Sequence, residues 1–192
     1  MPRLRPALAL LSLALVMPFA ACGDGQEPTA EGHTEAVYIT TGGLRYQVQI
    51  SRKLNPYDIE DRDYFVGVKD AAGQVANPKD TWFGVFLRVE NISDEGDGKP
   101  QTFRAASEFK IEDNEGNHAE PTPLPAENIF AYRPVPVAPG AQLPKPSSTA
   151  MQAPIGGALL LFKVDQGILE RRPTKLHIES ADGSEAEVNL DI

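Results

Sequence analysis

Apolar and polar residues alternate with a period of two over several short stretches of this chain. Residues 44–51 read LRYQVQIS, in which every second side chain is apolar. Because successive side chains of a β-strand point to opposite faces, this pattern predicts a strand with one buried and one solvated face. Asn55-Pro56 predicts its end, since this dipeptide favours a turn.

Residues 82–92, WFGVFLRVENI, are apolar on both faces in their first half. Phe83 and Val85 belong to one face, and Trp82 and Phe86 belong to the other. A strand covered on both sides shows this composition, so the stretch predicts a central strand.

Shorter apolar runs follow towards the C-terminus and predict further strands. Asp182-Gly183 separates the last two and predicts a hairpin turn, because glycine tolerates the positive φ of such turns. These runs lie around Phe103, around Phe109 and Ile111, and at residues 158–164, 175–179 and 186–192.

Nine prolines fall between Pro121 and Pro154. Proline lacks the backbone donor that helices and sheets need, so we expect a long irregular connection with one short helical turn near residues 126–131. Loops of this length are usually functional or mobile. Many short strands without a long helix predict an all-β chain folded as an antiparallel β-sandwich.

The first 22 residues, MPRLRPALALLSLALVMPFAAC, begin with basic residues and continue with an apolar run. The run at residues 7–16 is shorter than the roughly 20 residues of a membrane-spanning helix and is typical of a secretory signal. Residues 19–22, FAAC, resemble the lipobox of bacterial lipoproteins, although leucine is usual where Phe19 stands. This resemblance implies lipidation of Cys22; an ordinary cleaved signal is the alternative.

The chain therefore divides into a lipoprotein signal peptide (residues 1–21), a lipidated Cys22 with a disordered tether (residues 22–35), and a β-sandwich domain (residues 36–192). The tether is polar, without a large apolar residue to offset the entropy of ordering. Acyl chains on Cys22 would hold the protein on the membrane. We expect an extracytoplasmic location on the outer face of the cell membrane, with an outer membrane as the other option.

The formal net charge of −9 argues against nucleic acid as a partner, because phosphates repel an acidic surface. Four carboxylates, in Asp58, Glu60, Asp61 and Asp63, form a weak calcium candidate, since Ca²⁺ prefers six to eight oxygen ligands. Their spacing differs from that of the EF-hand loop. A solvated acidic loop is the simpler interpretation.

Catalytic and metal-binding motifs are absent from the sequence. His33, His118 and His177 have no metal-ligand spacing, and His177 alternates with apolar neighbours, so it should face solvent. The sequence also lacks the motifs of serine hydrolases and zinc proteases. We therefore expect no metal, no cofactor and no enzymatic activity.

Six aromatic residues at expected strand ends or in loops are candidates for a binding surface, because aromatic side chains are favoured at recognition sites. Aromatic residues also commonly cover the core of a sandwich, and that alternative remains open. The six residues are Tyr57, Tyr64, Phe65, Trp82, Phe130 and Tyr132.

Several motifs together resemble a known domain. They are the alternating strand GLRYQVQI, the strand FLRVENISDE, the segment EFKIEDNEG, the dipeptide Pro139-Gly140 and the strand LLLFKV. This set resembles the immunoglobulin-like β-sandwich domain of unknown function of Gram-positive and actinobacterial lipoproteins, which is related in fold to a mycobacterial immunoprotective antigen. The resemblance implies an immunoglobulin-like fold and an extracytoplasmic setting, without catalytic residues. The proline-rich segment and residues 58–65, DIEDRDYF, fall outside its pattern.

The sequence thus predicts a lipid-anchored, extracytoplasmic binding or interaction module at the cell surface, with an unknown ligand and an envelope protein as a candidate partner. The alternative is a structural accessory domain without a dedicated ligand.

Overall fold

The computed structural model describes residues 29–94 and 99–192. These residues form short strands, two one-turn α-helices, α1 (Thr149–Gln152) and α2 (Gln166–Glu170), and 3-10 turns at Arg62–Phe65 and Gly73–Val75. The strands are β1 (Glu31–Gly32), β2 (Tyr38–Thr41), β3 (Leu44–Leu54), β4 (Asp80–Glu90), β5 (Phe103–Arg104), β6 (Glu108–Glu112), β7 (His118–Ala119), β8 (Pro136–Val137), β9 (Gln142–Leu143), β10 (Ala158–Asp165), β11 (Lys175–Glu179) and β12 (Glu185–Asn189).

Two sheets pack face to face and make the domain an all-β sandwich, as the sequence predicts. The first sheet has the strand order β1-β12-β11-β6-β7. The second has the order β10-β4-β3-β2, with β9 beside the end of β4, and β5 and β8 form a separate small ribbon. Every pair is antiparallel except β1 with β12, which is parallel.

Strand β4 is the central strand that the sequence predicts. It pairs with β3 along one edge and with β10 along the other. Phe83 and Val85 point towards the first sheet, whereas Trp82 and Phe86 point to the opposite face. Both faces are buried, which explains why the first half of this strand is apolar throughout.

The inner core lies between the two sheets and contains the inward-facing side chains of both. Phe83, Leu87 and Phe162 of the second sheet meet Ile111 and Leu176 of the first. These residues occupy alternate positions of their strands, so burying them requires only the regular pleat of each sheet.

The outer core lies on the other face of the second sheet, where residues 55–76 and 121–155 cover it. The strands contribute five buried residues to it: Leu54, Trp82, Phe86, Leu159 and Leu161. Tyr64 packs edge-on against Phe86 and Phe130, with ring centroids 5.1 and 4.9 Å apart. These two segments therefore bury a second apolar face together, and they contribute the other half of its buried residues: Tyr64, Phe65, Ala71, Phe130 and Ala150.

The N-terminal part of the domain differs from the sequence prediction. The expected tether ends at residue 35, but β1 already pairs with β12. Glu35 is buried, and its carboxylate accepts hydrogen bonds from the backbone N–H groups of Ser51 and Asp191. The ordered domain thus begins before residue 36, because main-chain pairing replaces the missing apolar contacts. Residues 1–28, with Cys22 and the predicted signal peptide, lie outside the described residues.

The proline-rich segment is irregular, as expected, but its helical turn lies elsewhere. Residues 126–131 form hydrogen-bonded turns, whereas helix α1 begins after Ser148, whose side chain accepts a hydrogen bond from the N–H of Met151.

In the part of the chain that the structure describes, no helix has the length and apolar character needed to cross a bilayer.

Candidate functional site

A groove opens beside the first half of β6, where this strand has a free edge. Strand β7 pairs only with Ile111 and Glu112. Within residues 29–94 and 99–192, no strand pairs with Glu108, Phe109 or Lys110 on the side away from β11. The chain after β7 instead turns towards β10, so a gap separates it from β6.

The direction of the β6 backbone follows from the β6–β7 hairpin. The N–H of Asp113 donates to the carbonyl of Asn117 at 3.0 Å, so the backbone groups of Asp113 point towards β7. Because the direction alternates along an antiparallel strand, those of Ile111 and Phe109 point to the same side. The N–H and C=O of Phe109 therefore face the groove, without a strand partner among the described residues.

The opposite wall of the groove is the edge of β10 with the proline-rich segment along it. The N–H of Thr122 donates to the carbonyl of Leu161 at 2.6 Å, and that of Tyr132 donates to the carbonyl of Leu159 at 2.9 Å. The cavity measures about 800 Å³. This volume lies within the range of small-molecule and cofactor pockets.

Two buried tyrosines fix the end of the groove. The hydroxyl of Tyr132 donates to the carbonyl of Ala106 at 2.9 Å, and the N–H of Ala106 donates to the hydroxyl of Tyr46 at 2.8 Å. Burial raises the pKa of both tyrosines. They remain neutral hydrogen-bonding groups and hold the chain before β6 in place.

Three glutamates form a row beside the groove on the solvent face of the first sheet. Glu179 on β11 lies opposite Glu108 on β6 and opposite Glu185 on β12. All three are exposed and line the groove. Like charges at directly opposed positions repel each other, so this row costs stability unless a cation neutralises it.

The cationic side chains of the groove already have other partners. The ammonium of Lys110 lies 2.6 Å from the carboxylate of Glu112. The guanidinium of Arg133 donates to the carbonyls of Leu124, at 2.8 Å, and Pro125. Among the described residues, no ion pair involves Glu108, Glu179 or Glu185, so the rim of the groove carries uncompensated negative charge.

The predicted aromatic surface is largely wrong. Trp82 is completely buried, and its indole N–H donates to the carbonyl of Ala71 at 2.7 Å. Only Tyr57 is exposed, at 83%, and it borders a smaller depression of about 480 Å³ that Trp82 also lines. The other four predicted residues are buried and belong to the two cores: Tyr64, Phe65, Phe130 and Tyr132. The alternative interpretation, that these aromatics cover the sandwich, fits five of the six, and one of those five, Tyr132, also lines the groove beside β6.

The acidic segment 58–63 also differs from a calcium loop. Asp61 is only 3% exposed and forms an ion pair with Arg52, while its second oxygen accepts from the N–H of Asn55 at 2.8 Å. Asp58, Glu60 and Asp63 are exposed. The described residues contain no group of three or more acidic, histidine or cysteine side chains that fits a metal ion.

His177 lies on the solvent face of β11, as expected, but is only partly exposed. Its imidazole is 3.9 Å from Glu187 and also lines the groove. Partial burial lowers the pKa of His177, and the nearby Lys110 acts in the same direction. The imidazole is therefore largely neutral near pH 7, which leaves the acidic row without a cation from this side.

The groove is not evident from the sequence. Glu108, Glu179 and Glu185 are far apart in the chain, and only the register of three strands brings them side by side. The alternating pattern around Phe109 carries a usable signal, because it assigns Glu108 and Lys110 to the solvent face. It cannot show that β7 stops short of them.

Comparison with known proteins adds only a remote structural neighbour. No protein-family model matches the chain, and no curated protein is significantly similar to it. An uncharacterized β-sandwich protein from Clostridium difficile 630 is similar in structure, with a TM-score of 0.42 and 10% sequence identity over 88% of this chain and 99% of that one.

Proposed function

We propose that the protein is a lipid-anchored extracytoplasmic binding module rather than an enzyme, and that the groove beside β6 is its binding site. The observation that carries the proposal is the unpaired edge of β6 at Phe109 facing a cavity of about 800 Å³. Unpaired backbone groups gain hydrogen bonds when a ligand binds, which makes such an edge a natural recognition surface.

The anchor in this proposal is Cys22, at the end of the signal-like sequence. The folded domain begins at β1, which lies at one edge of the first sheet, whereas β6 lies beyond β12 and β11. At about 4.8 Å between neighbouring strands, the groove is roughly 14 Å from the strand at which the tether enters. Strand β1 and the groove therefore lie at different parts of the first sheet.

The Cys22→Ser variant tests the anchor. We expect it to leave the membrane fraction or to accumulate with its signal peptide uncleaved, because serine cannot accept the thioether-linked lipid. Fractionation followed by mass spectrometry of the N-terminus measures both results. Unchanged membrane association would contradict the lipoprotein assignment.

Site-specific photocrosslinking in intact cells tests the binding role. A benzophenone amino acid at Glu179, on the rim of the groove, should crosslink a defined envelope protein. Glu170, which is exposed on α2 and does not line the groove, provides the matched control position. Equal labelling from both positions, or none from Glu179, would instead support a structural accessory domain without a dedicated ligand.

A further inference from the structure

We propose that the occupant of the groove is an extended basic peptide segment of another protein, which joins the first sheet as an added strand beside β6. This inference rests on the proposed binding function and names the class of partner. It follows from the backbone, the groove wall and the charge around Phe109.

The backbone provides the pairing. The N–H and C=O of Phe109 point into the groove, while the neighbouring residues Glu108 and Lys110 pair with β11. An extended peptide that places one residue opposite Phe109 forms both missing hydrogen bonds of a narrow antiparallel pair. The side chain of Phe109 is buried in the inner core, so the added strand would pair next to an apolar part of the sheet.

The two faces of such a strand meet different surroundings. Side chains on the same side as Phe109 enter the groove, whose apolar walls include Tyr132 and Leu160. Side chains at the alternate positions lie on the solvent face beside Glu108 and continue the row formed with Glu179. A matching peptide therefore alternates apolar residues with lysine or arginine.

The charge of the groove favours a basic peptide over nucleic acid, an acidic peptide or a second copy of this chain. The acidic row repels nucleic acid and acidic peptides. A second copy of this chain, paired antiparallel with Phe109 opposite Phe109, would place Lys110 opposite Glu108, but that ammonium already pairs with Glu112. The acidic rows of both copies would then lie close together on one face. A cationic strand instead places a positive charge directly beside Glu108 and one strand farther from Glu179, which lowers the repulsion between these two carboxylates.

Binding of synthetic peptides tests the proposal. The full chain in detergent micelles is titrated into fluorescein-labelled decapeptides of alternating lysine and valine, or of alternating glutamate and valine, and anisotropy is recorded. We expect only the lysine peptide to bind. Absence of binding at protein concentrations of about 1 mM, or equal binding of both peptides, would overturn the proposal.

Backbone methylation tests strand addition itself. Successive N–H groups of an extended peptide point to opposite edges, so only one alternate set can face β6. Methylating all valine nitrogens or all lysine nitrogens should weaken binding by about tenfold or more for one set, and by less than about threefold for the other. Similar losses for both sets would exclude pairing with β6.

Substitutions in the acidic row test the charge argument. The Glu108→Gln/Glu179→Gln double variant should bind the lysine peptide about three- to tenfold more weakly, since each exposed pair contributes modestly. Glu60→Gln/Glu170→Gln removes two exposed carboxylates that do not line the groove, so it is the matched control and should bind as the unsubstituted chain does. If the control weakens binding equally, net charge rather than the groove is responsible.

The two proposals fail separately. If Glu179 crosslinks a partner in cells but methylation shows no alternate pattern, the binding role stands and strand addition is wrong. If the peptides show the pattern but cells yield no crosslink, the groove can accept a strand, but the proposed cellular role is wrong.

Discussion

The inner core and the outer core lie on opposite faces of β4, yet different kinds of chain enclose them. Two sheets enclose the inner core, and each sheet contributes every second residue of its strands. The outer core has one such wall, with Trp82 and Phe86, and a second wall formed by irregular segments that contribute Phe65 and Phe130. Regular pairing supports one core, whereas side-chain packing supports most of the other.

This difference has a consequence for stability. Segments without ladder hydrogen bonds open more readily than paired strands, because fewer interactions must break together. We therefore expect the outer core to loosen before the sandwich unfolds. Trp82 is the only tryptophan, so its fluorescence reports the outer core, while far-ultraviolet circular dichroism reports the sheets.

A matched pair of phenylalanine-to-alanine substitutions should show the largest effect. Phe83→Ala removes an inner-core ring and should lower the free energy of unfolding by about 3–5 kcal/mol, shifting both signals in a denaturant titration. Phe65→Ala removes a ring whose centroid is 5.7 Å from that of Trp82. It should shift the fluorescence transition to lower denaturant and leave the dichroism transition nearly unchanged.

Phe83→Ala and Phe65→Ala together show whether the two cores unfold separately or as one unit. If Phe65→Ala shifts both transitions equally, the two cores unfold as a single cooperative unit. If Phe83→Ala shifts only one signal, the assignment of that signal to its core is wrong. Phe83 and Phe65 are the same residue type, so differences between the variants reflect location.

The buried carboxylate beside the outer core should have an intermediate effect. Asp61 joins Arg52 of β3 to the turn after that strand, and its Oδ2 atom lies 3.2 Å from Nη1 of Arg52. Asp61→Asn removes the charge and should lower the free energy of unfolding by about 1–3 kcal/mol, which is typical of hydrogen bonds to charged groups. The fluorescence transition should respond more than the dichroism transition.

Asp63→Asn provides the matched control, because Asp63 lies in the same segment but is exposed. It should change neither transition measurably. Equal effects of the two substitutions would show that the acidity of the segment matters, rather than the buried ion pair.

The sequence is sufficient to predict the residues of the inner core, because burial there follows the two-residue period of the strand. The pattern of residues 82–92 even indicates that Trp82 faces a second apolar surface. It cannot identify the covering residues, since Tyr64 and Phe130 lie in irregular segments, where spacing does not encode direction. The same limit explains why the sequence leaves open whether these aromatics form a binding surface or cover the core.

The candidate groove cannot be predicted from the sequence, for a different reason. It depends on where β7 ends relative to β6 and on how Glu108, Glu179 and Glu185 align across three strands. Register is set by long-range pairing, which local patterns do not specify.

Acid titration should give the smallest effect, and it concerns a buried carboxylate of the sandwich itself. Burial alone would raise the pKa of Asp113, but hydrogen bonds from Arg171, at 2.5 Å, from Asn117 and from the N–H of Glu115 outweigh it and lower the pKa to about 2. A lowered pKa means that the ionised carboxylate stabilises the fold. This contribution is complete well above pH 3.8 and disappears as the pH falls through about 2. The difference in unfolding free energy between the unsubstituted chain and Asp113→Asn should therefore shrink across this window in denaturant titrations.

Glu35 lies in the same sandwich, but its effect on stability should depend on pH in the opposite direction. Burial raises the pKa of Glu35 above 4.5, despite hydrogen bonds from Ser51 and Asp191, so its protonated form is favoured in the folded chain. The contribution of protonated Glu35 to the free energy of unfolding is present below pH 4.5 and is lost as the pH rises through the raised pKa. Glu35→Gln should flatten the dependence of the unfolding free energy on pH in this higher window and leave the Asp113 window unchanged.

For Asp113, the contradicting result is a constant difference in unfolding free energy between Asp113→Asn and the unsubstituted chain from pH 6 to pH 2. It would show that Asp113 acts through its shape and hydrogen bonds rather than its charge, since an uncharged asparagine retains only part of this network.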